Sequence, residues 1–514
     1  LPRCCEKRRS IEPIGFAGAS VRISFQKVTA RHSPRRGLLR AVSDQENSMS
    51  FATSMRRPAL ASGLAFLALA ALALPAREAA AQTLDQALAQ AYVNNPTLNS
   101  QRAGTRAVDE TVPQALSGYR PTLFATASAG VETARSQSQG VSTSGTLWPR
   151  QFALTATQTI FNGFITANST RTAESQVRGS RETLRNTEQT VLLNAATAYM
   201  NVIQAIALLD LQNQNLAALQ QELRATRDRF NVGEVTRTDV AQAEARVADA
   251  QYGVSQAVAN LSSAKAVYRQ VIGVEPGRLV SPGAAIEAML PRNLGQVVTA
   301  GLNRHPAVKA SEFAVDAAMF QVKVAEGALM PNLNVQGQLY QTYDSSAAVD
   351  SARAAEVTLN LSVPIYQGGV EYANIRQNKE LLTQARIEVD VNRDAIRAQA
   401  VQYWGALEAS KAQIEAAQSA VAANTLALEG VREEWRVGQR TTTDVLNAQR
   451  DLTNSRSALV TAQRDRVVAG YQLVAIIGKL DAISLRLRVN VYNPTVHYNQ
   501  VRDSWAGVRT PDGK

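Results

Sequence analysis

Cysteine is all but missing from the 514 residues: the two present, Cys4 and Cys5, are neighbours at the front, so no disulfide or thiolate chemistry is open to the rest of the chain. Aromatic residues amount to only 5 %, which suits long helices rich in Ala and Gln better than a large globular core. Histidine occurs three times, as His32, His305 and His497. These lie far apart in sequence, and His497 reads as a packing or hydrogen-bonding residue rather than a metal ligand. No phosphate loop, metal-ligand spacing or nucleophile–base pair stands out, so nothing supports an enzyme and no cofactor is expected. A usable basic excess is missing too. Of the net charge of +11, residues 1–81 hold 13 Lys/Arg against 5 Asp/Glu, leaving 41 against 38 in residues 82–514. A body so close to neutral lacks the electrostatic footprint of a nucleic-acid partner.

The charged front ends in a patterned segment. From Met55 the chain reads MRRPALASGLAFLALAALALPAREAAAQ: a basic start at Arg56 and Arg57, an apolar run from Leu60 to Leu74, and small residues Ala79 to Ala81 before Gln82. That is a secretory signal peptide, expected over 55–81. As a membrane anchor the run is too short, since a span needs ~20 apolar residues. Residues 1–54 begin with Leu, are rich in Arg, and read as a non-native or over-extended N-terminal segment. No cysteine follows the signal to accept a lipid.

Beyond residue 81 the chain is written twice. NNPTL (94–98) matches RHPAV (304–308), and YRPTL (119–123) matches LMPNL (329–333), at an offset of 210. The offset then becomes 205: IFNG after Thr159 pairs with IYQGG after Pro364, and NVGEVTRTDV (231–240) pairs with RVGQRTTTDV (436–445). Five extra residues therefore lie between Pro121 and Phe161, where a loop would tolerate them. Apolar residues recur every seven at Val177, Leu184 and Val191, then at Val202, Leu209, Leu216, Leu223 and Phe230. Their partners 205 positions on, Leu382, Val389, Ile396, Leu407, Ile414, Val421, Leu428 and Trp435, are all apolar. A sustained seven-residue period predicts coiled-coil packing, and the eleven-residue gap in each copy predicts a local stutter. After the Val-Gly turn a second stripe runs through Val240, Val247, Val254, Leu261 and Tyr268. Its partner stripe is broken only by Arg466.

The long helix expected from about Phe164 to Phe230 would run ~100 Å. No single antiparallel partner matches it, but two shorter helices stacked end to end, 97–119 and 239–272, could cover most of that length; 307–329 and 443–477 would do the same in the second copy. Between short and long helices the period changes to two. In VTLNLSVPI, Val357, Leu359, Leu361, Val363 and Ile365 oppose Thr358, Asn360 and Ser362; Leu333, Val335 and Leu339 oppose Asn334, Gln336 and Gln338; Phe152, Leu154, Ala156, Gln158 and Ile160 oppose Thr155, Thr157 and Thr159. Strands of ~10 residues with one apolar face have the length and pattern of membrane strands. Phe161 and Tyr366 at one end, with Trp148, Tyr340 and Tyr343 towards the other, fit interfacial girdles. Four strands cannot close a barrel, and open edges cannot sit in lipid, so several chains must contribute.

The duplicated helix–hairpin–helix order, with the motifs NNP/RHP, YRP/LMP, IFNG/IYQGG and VGxxxxTDV over residues 82–479, resembles the TolC family of outer-membrane channels. The resemblance implies a homotrimer with a twelve-stranded β-barrel, four strands per protomer, continued by a long α-helical coiled-coil tunnel through the periplasm. It implies residence in the outer-membrane lipid of a Gram-negative bacterium, a periplasmic adaptor, and an inner-membrane ABC or proton-driven transporter. Domains are expected as repeat 1 over 82–279 (hairpin about 121–161), a linker at 280–291, repeat 2 over 292–479 (hairpin about 331–366) and a tail at 480–514. By position, Asp444 corresponds to the family's entrance carboxylate ring, Arg440 to the residue holding the closed state, Thr238 and Asp239 to its partners, and Trp435 to an aromatic of the same link. Asn447 stands where some members carry a second carboxylate. The turns Val232-Gly233 and Val437-Gly438 are expected at the adaptor-docking tip. Three Asp444 carboxylates on one axis would repel, raising their pKa and favouring a cation. The tail resembles those of members serving type I protein secretion. Alternatives are a multidrug efflux duct of the same fold and, from another class, a periplasmic coiled-coil adaptor.

Overall fold

The computed structural model describes residues 82–514, apart from 139, 283, 347–348, 512 and 514. The signal peptide read over 55–81 and the segment 1–54 lie outside the described residues.

Helix α1 (Leu84–Asn94) opens on a capping box in which Thr83 and Gln86 satisfy each other's backbone N–H groups. Asn95 closes it and caps α2 (Pro96–Asp109), whose N1 proline needs no partner for a missing N–H. The chain continues through α3 (Thr111–Leu116) to the first hairpin, then into α4 (Ile165–Asn231) and α5 (Arg237–Ile272). The second half repeats the plan. Helix α6 (Leu294–Arg304) gives way at His305 to α7 (Pro306–Gly327), the second hairpin follows, then α8 (Val370–Arg436) and α9 (Thr442–Ile476). Both long helices have 67 residues, ~100 Å at 1.5 Å per residue. Helices α2 and α5 share α4 as their support, and α7 and α9 share α8. Helix α7 also lies along α4, and α9 along the lower part of α4, so the two halves form one layer.

The seven-residue stripes are the seams of this layer. Val177, Leu184, Val191, Val202, Val389, Ile396, Leu407, Leu428 and Trp435 are buried. Phe230, the register mate of Trp435, is not: it stands 43 % exposed at the end of α4. Arg466, the one break in the pattern, turns outward to the linker, where its guanidinium donates to both Glu287 oxygens at 2.7 and 3.2 Å. The main core surrounds the middle of α4, where Leu88 and Tyr92 of α1 meet Leu192, Tyr199, Val202, Tyr268, Val474 and Leu480. The Tyr199 hydroxyl lies 2.8 Å from Gln82 O and 2.6 Å from Val280 O, joining the start of the described chain to the linker.

Four strands make one antiparallel sheet in the order β1 (Thr122–Ala129), β4 (Arg150–Asn162), β5 (Asn332–Ser346), β6 (Val349–Ser362). Strands β2 (Glu132–Ser138) and β3 (Val141–Leu147) extend the first hairpin as a separate ribbon. Sequence alternation had not distinguished this ribbon from the sheet. Directly opposed residues share a face. Leu333 pairs with Leu361, Val335 with Leu359, Gly337 with Val357 and Ala156, and Leu339 with Leu154. The other face pairs Gln336 with Thr157 and Thr358, and Asn334 with Asn360. Gln158, on the apolar face, keeps its amide satisfied on the Tyr119 and Thr159 carbonyls. The alternation read through Ile160 fails at one point. A register shift between Thr159 and Phe161 seats Phe161, not Ile160, opposite Leu333, as a bulge does by inserting one unpaired residue. Val363 and Ile365 lie beyond the end of β6.

Candidate functional site

The end of the helical layer furthest from the sheet holds every residue singled out for the tip, on two turns of matching design. Helix α4 stops at Gly233 (φ 81°) and α8 at Gly438 (φ 78°), a left-handed conformation that glycine adopts without a Cβ penalty. Glu234 N donates to Arg229 O at 2.9 Å and Gln439 N to Glu434 O at 2.8 Å, closing both helices with the same backbone bonds. Val232 and Val437 project from the turns, 72 % and 71 % exposed.

Each turn ends on a capping box whose cap is a threonine that sequence reading had not singled out. Thr236 N and Oγ1 donate to Asp239 Oδ2 at 2.9 and 2.7 Å. Thr441 N and Oγ1 donate to Asp444 Oδ2 at 3.0 and 2.8 Å. Both aspartates are thus first-turn residues completing caps, where negative charge complements the helix dipole. The Thr441 backbone N–H and hydroxyl hold the Asp444 carboxyl below the usual carboxylate range. Any upward shift from threefold repulsion has to overcome these bonds.

The expected partners of Arg440 are not the ones it has. Its Nε donates to Glu434 Oε2 at 2.7 Å, on the helix it follows, which also raises the guanidinium pKa. Within the protomer no Arg440–Asp239 ion pair forms among the described residues, because each carboxylate and the guanidinium are already engaged locally. Thr238 is exposed and Asn447 half-buried.

The two hairpin ends are joined by Arg229 instead. Its guanidinium stacks 3.8 Å from the centroid of Trp435, donates to Trp435 O at 3.2 Å and approaches Arg436 O at 3.4 Å. A cation thus caps the C-terminal carbonyls of the opposite long helix, where the dipole favours it. Trp435 is buried and its indole N–H donates to Thr442 Oγ1 at 3.3 Å. Thr443 Oγ1 bonds Gln242 Oε1 across the same gap. Arg229 escaped the sequence reading because its register mate is Glu434, so the duplication conceals it. The one signal was its place beside Phe230, the register mate of Trp435 at the end of the other long helix. Two turns further in, burial raises the pKa of Glu222, with Arg432 opposing the shift.

Such an arrangement can hold two helical hairpins together or let them part. Among the described residues no group of His, Cys, Asp and Glu is placed to hold a metal.

The family model for outer membrane efflux proteins matches residues 73–274 and 297–479. The outer membrane efflux protein BepC of Brucella suis is 43 % identical over 443 residues, 86 % of this chain and 95 % of that protein. TolC of Escherichia coli is 25 % identical over 434 residues, 82 % of this chain and 87 % of that protein. Among solved structures, the outer membrane protein VceC of Vibrio cholerae superposes with a TM-score of 0.67 at 17 % identity, covering 77 % of this chain and 96 % of its own. A membrane protein from Pseudomonas aeruginosa superposes with a TM-score of 0.69, also at 17 % identity, over 77 % and 90 %. These two likenesses concern the fold alone. With its sheet-and-tunnel fold and a family match over most of its length, the chain belongs to the outer membrane efflux proteins, the TolC-like outer-membrane members of tripartite export systems.

Proposed function

We propose that three copies close the four-stranded sheet into a twelve-stranded barrel and the helical layer into a tunnel, an exit duct for substrate handed over by a periplasmic adaptor and an inner-membrane transporter. The observation carrying this reading is the sheet itself. Leu359, Leu361 and Val357 are 67 %, 65 % and 79 % exposed on one face, Thr358 and Asn360 occupy the other, and β1 and β6 end the sheet unpaired. Hydrocarbon tolerates neither open edges nor a polar face, so closure through further copies satisfies both demands.

The tip is the gate. Asp444 of three copies forms the entrance ring, with Asn447 in place of a second carboxylate, and Arg440, Thr238, Asp239 and Trp435 belong to the links that keep it narrow. Arg440 bonds Glu434 within its own chain; a contact with Asp239 would form between copies, while Arg229 and Trp435 make the link inside each copy. The turns Val232-Gly233 and Val437-Gly438 dock the adaptor. Conductance of the wild-type protein and of Arg440→Ala, Asp239→Ala and Arg229→Ala in planar bilayers tests the gate. Each substitution is expected to widen the channel; unchanged conductance in all three removes the latch.

For cargo, secreted polypeptide is the leading reading, supported by the tail and by relatives named for secretion: the alkaline protease secretion protein AprF of Pseudomonas aeruginosa, 23 % identical, and the proteases secretion protein PrtF of Dickeya chrysanthemi, 25 % identical. A second reading, efflux of small toxic molecules, is favoured by the name of the 43 % identical relative. Deleting the gene separates them: loss of a culture-supernatant protein supports the first, and drug sensitivity with an intact supernatant supports the second.

A further inference from the structure

The tail takes no part in the gate, yet it is tied down along its length. Tyr492 N donates to the Tyr92 hydroxyl at 3.0 Å. The short helix α10 (Thr495–Val501) buries His497, whose Nδ1 lies 3.1 Å from Asp109 Oδ2 on α2. Arg181 of α4 stacks 4.9 Å from the ring of Tyr498, and Arg502 reaches Glu174 at 3.7 Å. Last, Arg120 Nη1 donates to Ser504 O at 2.6 Å and its guanidinium lies 4.8 Å from the ring centroid of Trp505.

That final contact fixes the height of the tail. Arg120 precedes the first strand, which starts at Thr122, so Ser504 and Trp505 are held at the rim where tunnel becomes barrel. The tail crosses both α2 and α4, so it lies on a face of the layer rather than at its edge. In a closed ring one helix thick, the inner face is the bore, and three tails there would obstruct it. The outer face remains, on the side of the sheet's hydrocarbon-facing row. Trp505 is 71 % exposed and Val508 fully exposed, and Tyr119, the neighbour of Arg120 in sequence, is half-exposed. Phe164, Ile365 and Tyr366, which follow β4 and β6 at the same end of the sheet, are exposed as well.

We infer that residues 504–508 are an interfacial anchor, with Trp505 seated among the phospholipid headgroups of the periplasmic leaflet and oriented by Arg120. This rests on the trimeric-barrel reading above. Indole is suited to that layer, having an apolar body and one N–H donor. The Arg120 guanidinium under the ring keeps it from folding back and adds a cation at phosphate depth. The anchor would fix the height of the duct in the membrane.

The test uses the full chain in phospholipid vesicles containing lipid brominated near the headgroup, with emission read from the four tryptophans, 148, 404, 435 and 505. Trp404 and Trp435 lie on α8, away from the sheet. The expected result is that part of the quenchable emission is lost in Trp505→Phe and another part in Trp148→Phe, a residue of the first hairpin near the far end of the sheet. If Trp505→Phe loses none while Trp148→Phe does, the anchor is wrong and the membrane sheet stands. If neither loses any, both readings fall. Iodide adds a control: a Trp505 shielded from both iodide and brominated lipid is covered by a neighbouring subunit, which also overturns the anchor.

Discussion

Asn95 and His305 do the same work in the two halves: each ends one helix and caps the next, just before a proline. Asn95 Oδ1 accepts from Thr97 N and Leu98 N at 2.9 and 3.2 Å, and His305 Nδ1 accepts from Ala307 N at 3.2 Å. The histidine can accept only while that nitrogen is unprotonated, and burial lowers its pKa from 6.5 to about 4. Because the folded value is depressed, the unfolded chain takes up the proton first. The stabilisation is complete above pH 6.5 and is lost as pH falls towards 4, up to about 3 kcal/mol by linkage. His305→Asn, which installs the residue the first half already uses, is expected to abolish this acid sensitivity. Hydrogen exchange at Ala307 and Val308, followed from pH 7 to 4.5, checks it; parallel pH profiles in both proteins would refute the assignment. The aligned NNP and RHP motifs marked the two positions as equivalent in the sequence. The depth of burial that lowers the histidine's pKa was not legible there.

Among the elements, the junctions between strand and long helix differ between the halves. Gly163 (φ 65°) lies against Gly327, and a Cβ there would come within 2.6 Å of the Met330 Cβ. Its counterparts Gly368 (φ 68°) and Gly369 (φ 88°) have open space around them. An alanine at 163 therefore meets both the left-handed penalty of ~1–2 kcal/mol and an overlap of ~1–3 kcal/mol; at 369 it meets only the first. Gly163→Ala is expected to lower the dissociation temperature of the assembled protein on semi-denaturing gels well below that of Gly369→Ala. Equal temperatures would show that the close approach of α7 to the strand–helix turn is unimportant. Length and period made the helices readable, since a seven-residue repeat over 67 residues leaves little choice of face. A glycine in a motif gave no sign of which copy was crowded.

For the whole molecule the decisive property is which side of the sheet meets hydrocarbon. Replacing Leu359 by Arg puts a charge in the apolar row at ~2–4 kcal/mol for a site near the bilayer midplane. Thr358→Arg places the same charge on the opposite face. The first variant is expected to lose outer-membrane fractionation and heat-modifiable migration, and the second to keep both. Equal behaviour would mean that the sheet does not face lipid in this orientation. Burial within one protomer could not have decided this, because both faces of the strand are largely open there.

Alone, the sequence determined the helix–hairpin–helix order, the length of the long helices, the two faces of the strands and the position of the tip, because periodicity and turn chemistry are properties of consecutive residues. Only the tertiary structure decided that β4 pairs with β5 to merge two hairpins into one sheet, that Arg229 clasps Trp435, that Arg440 turns to Glu434, and where the tail climbs. Most of these join residues far apart in the chain, whose meeting depends on how α4, α7 and α9 stack. No local pattern carries that information.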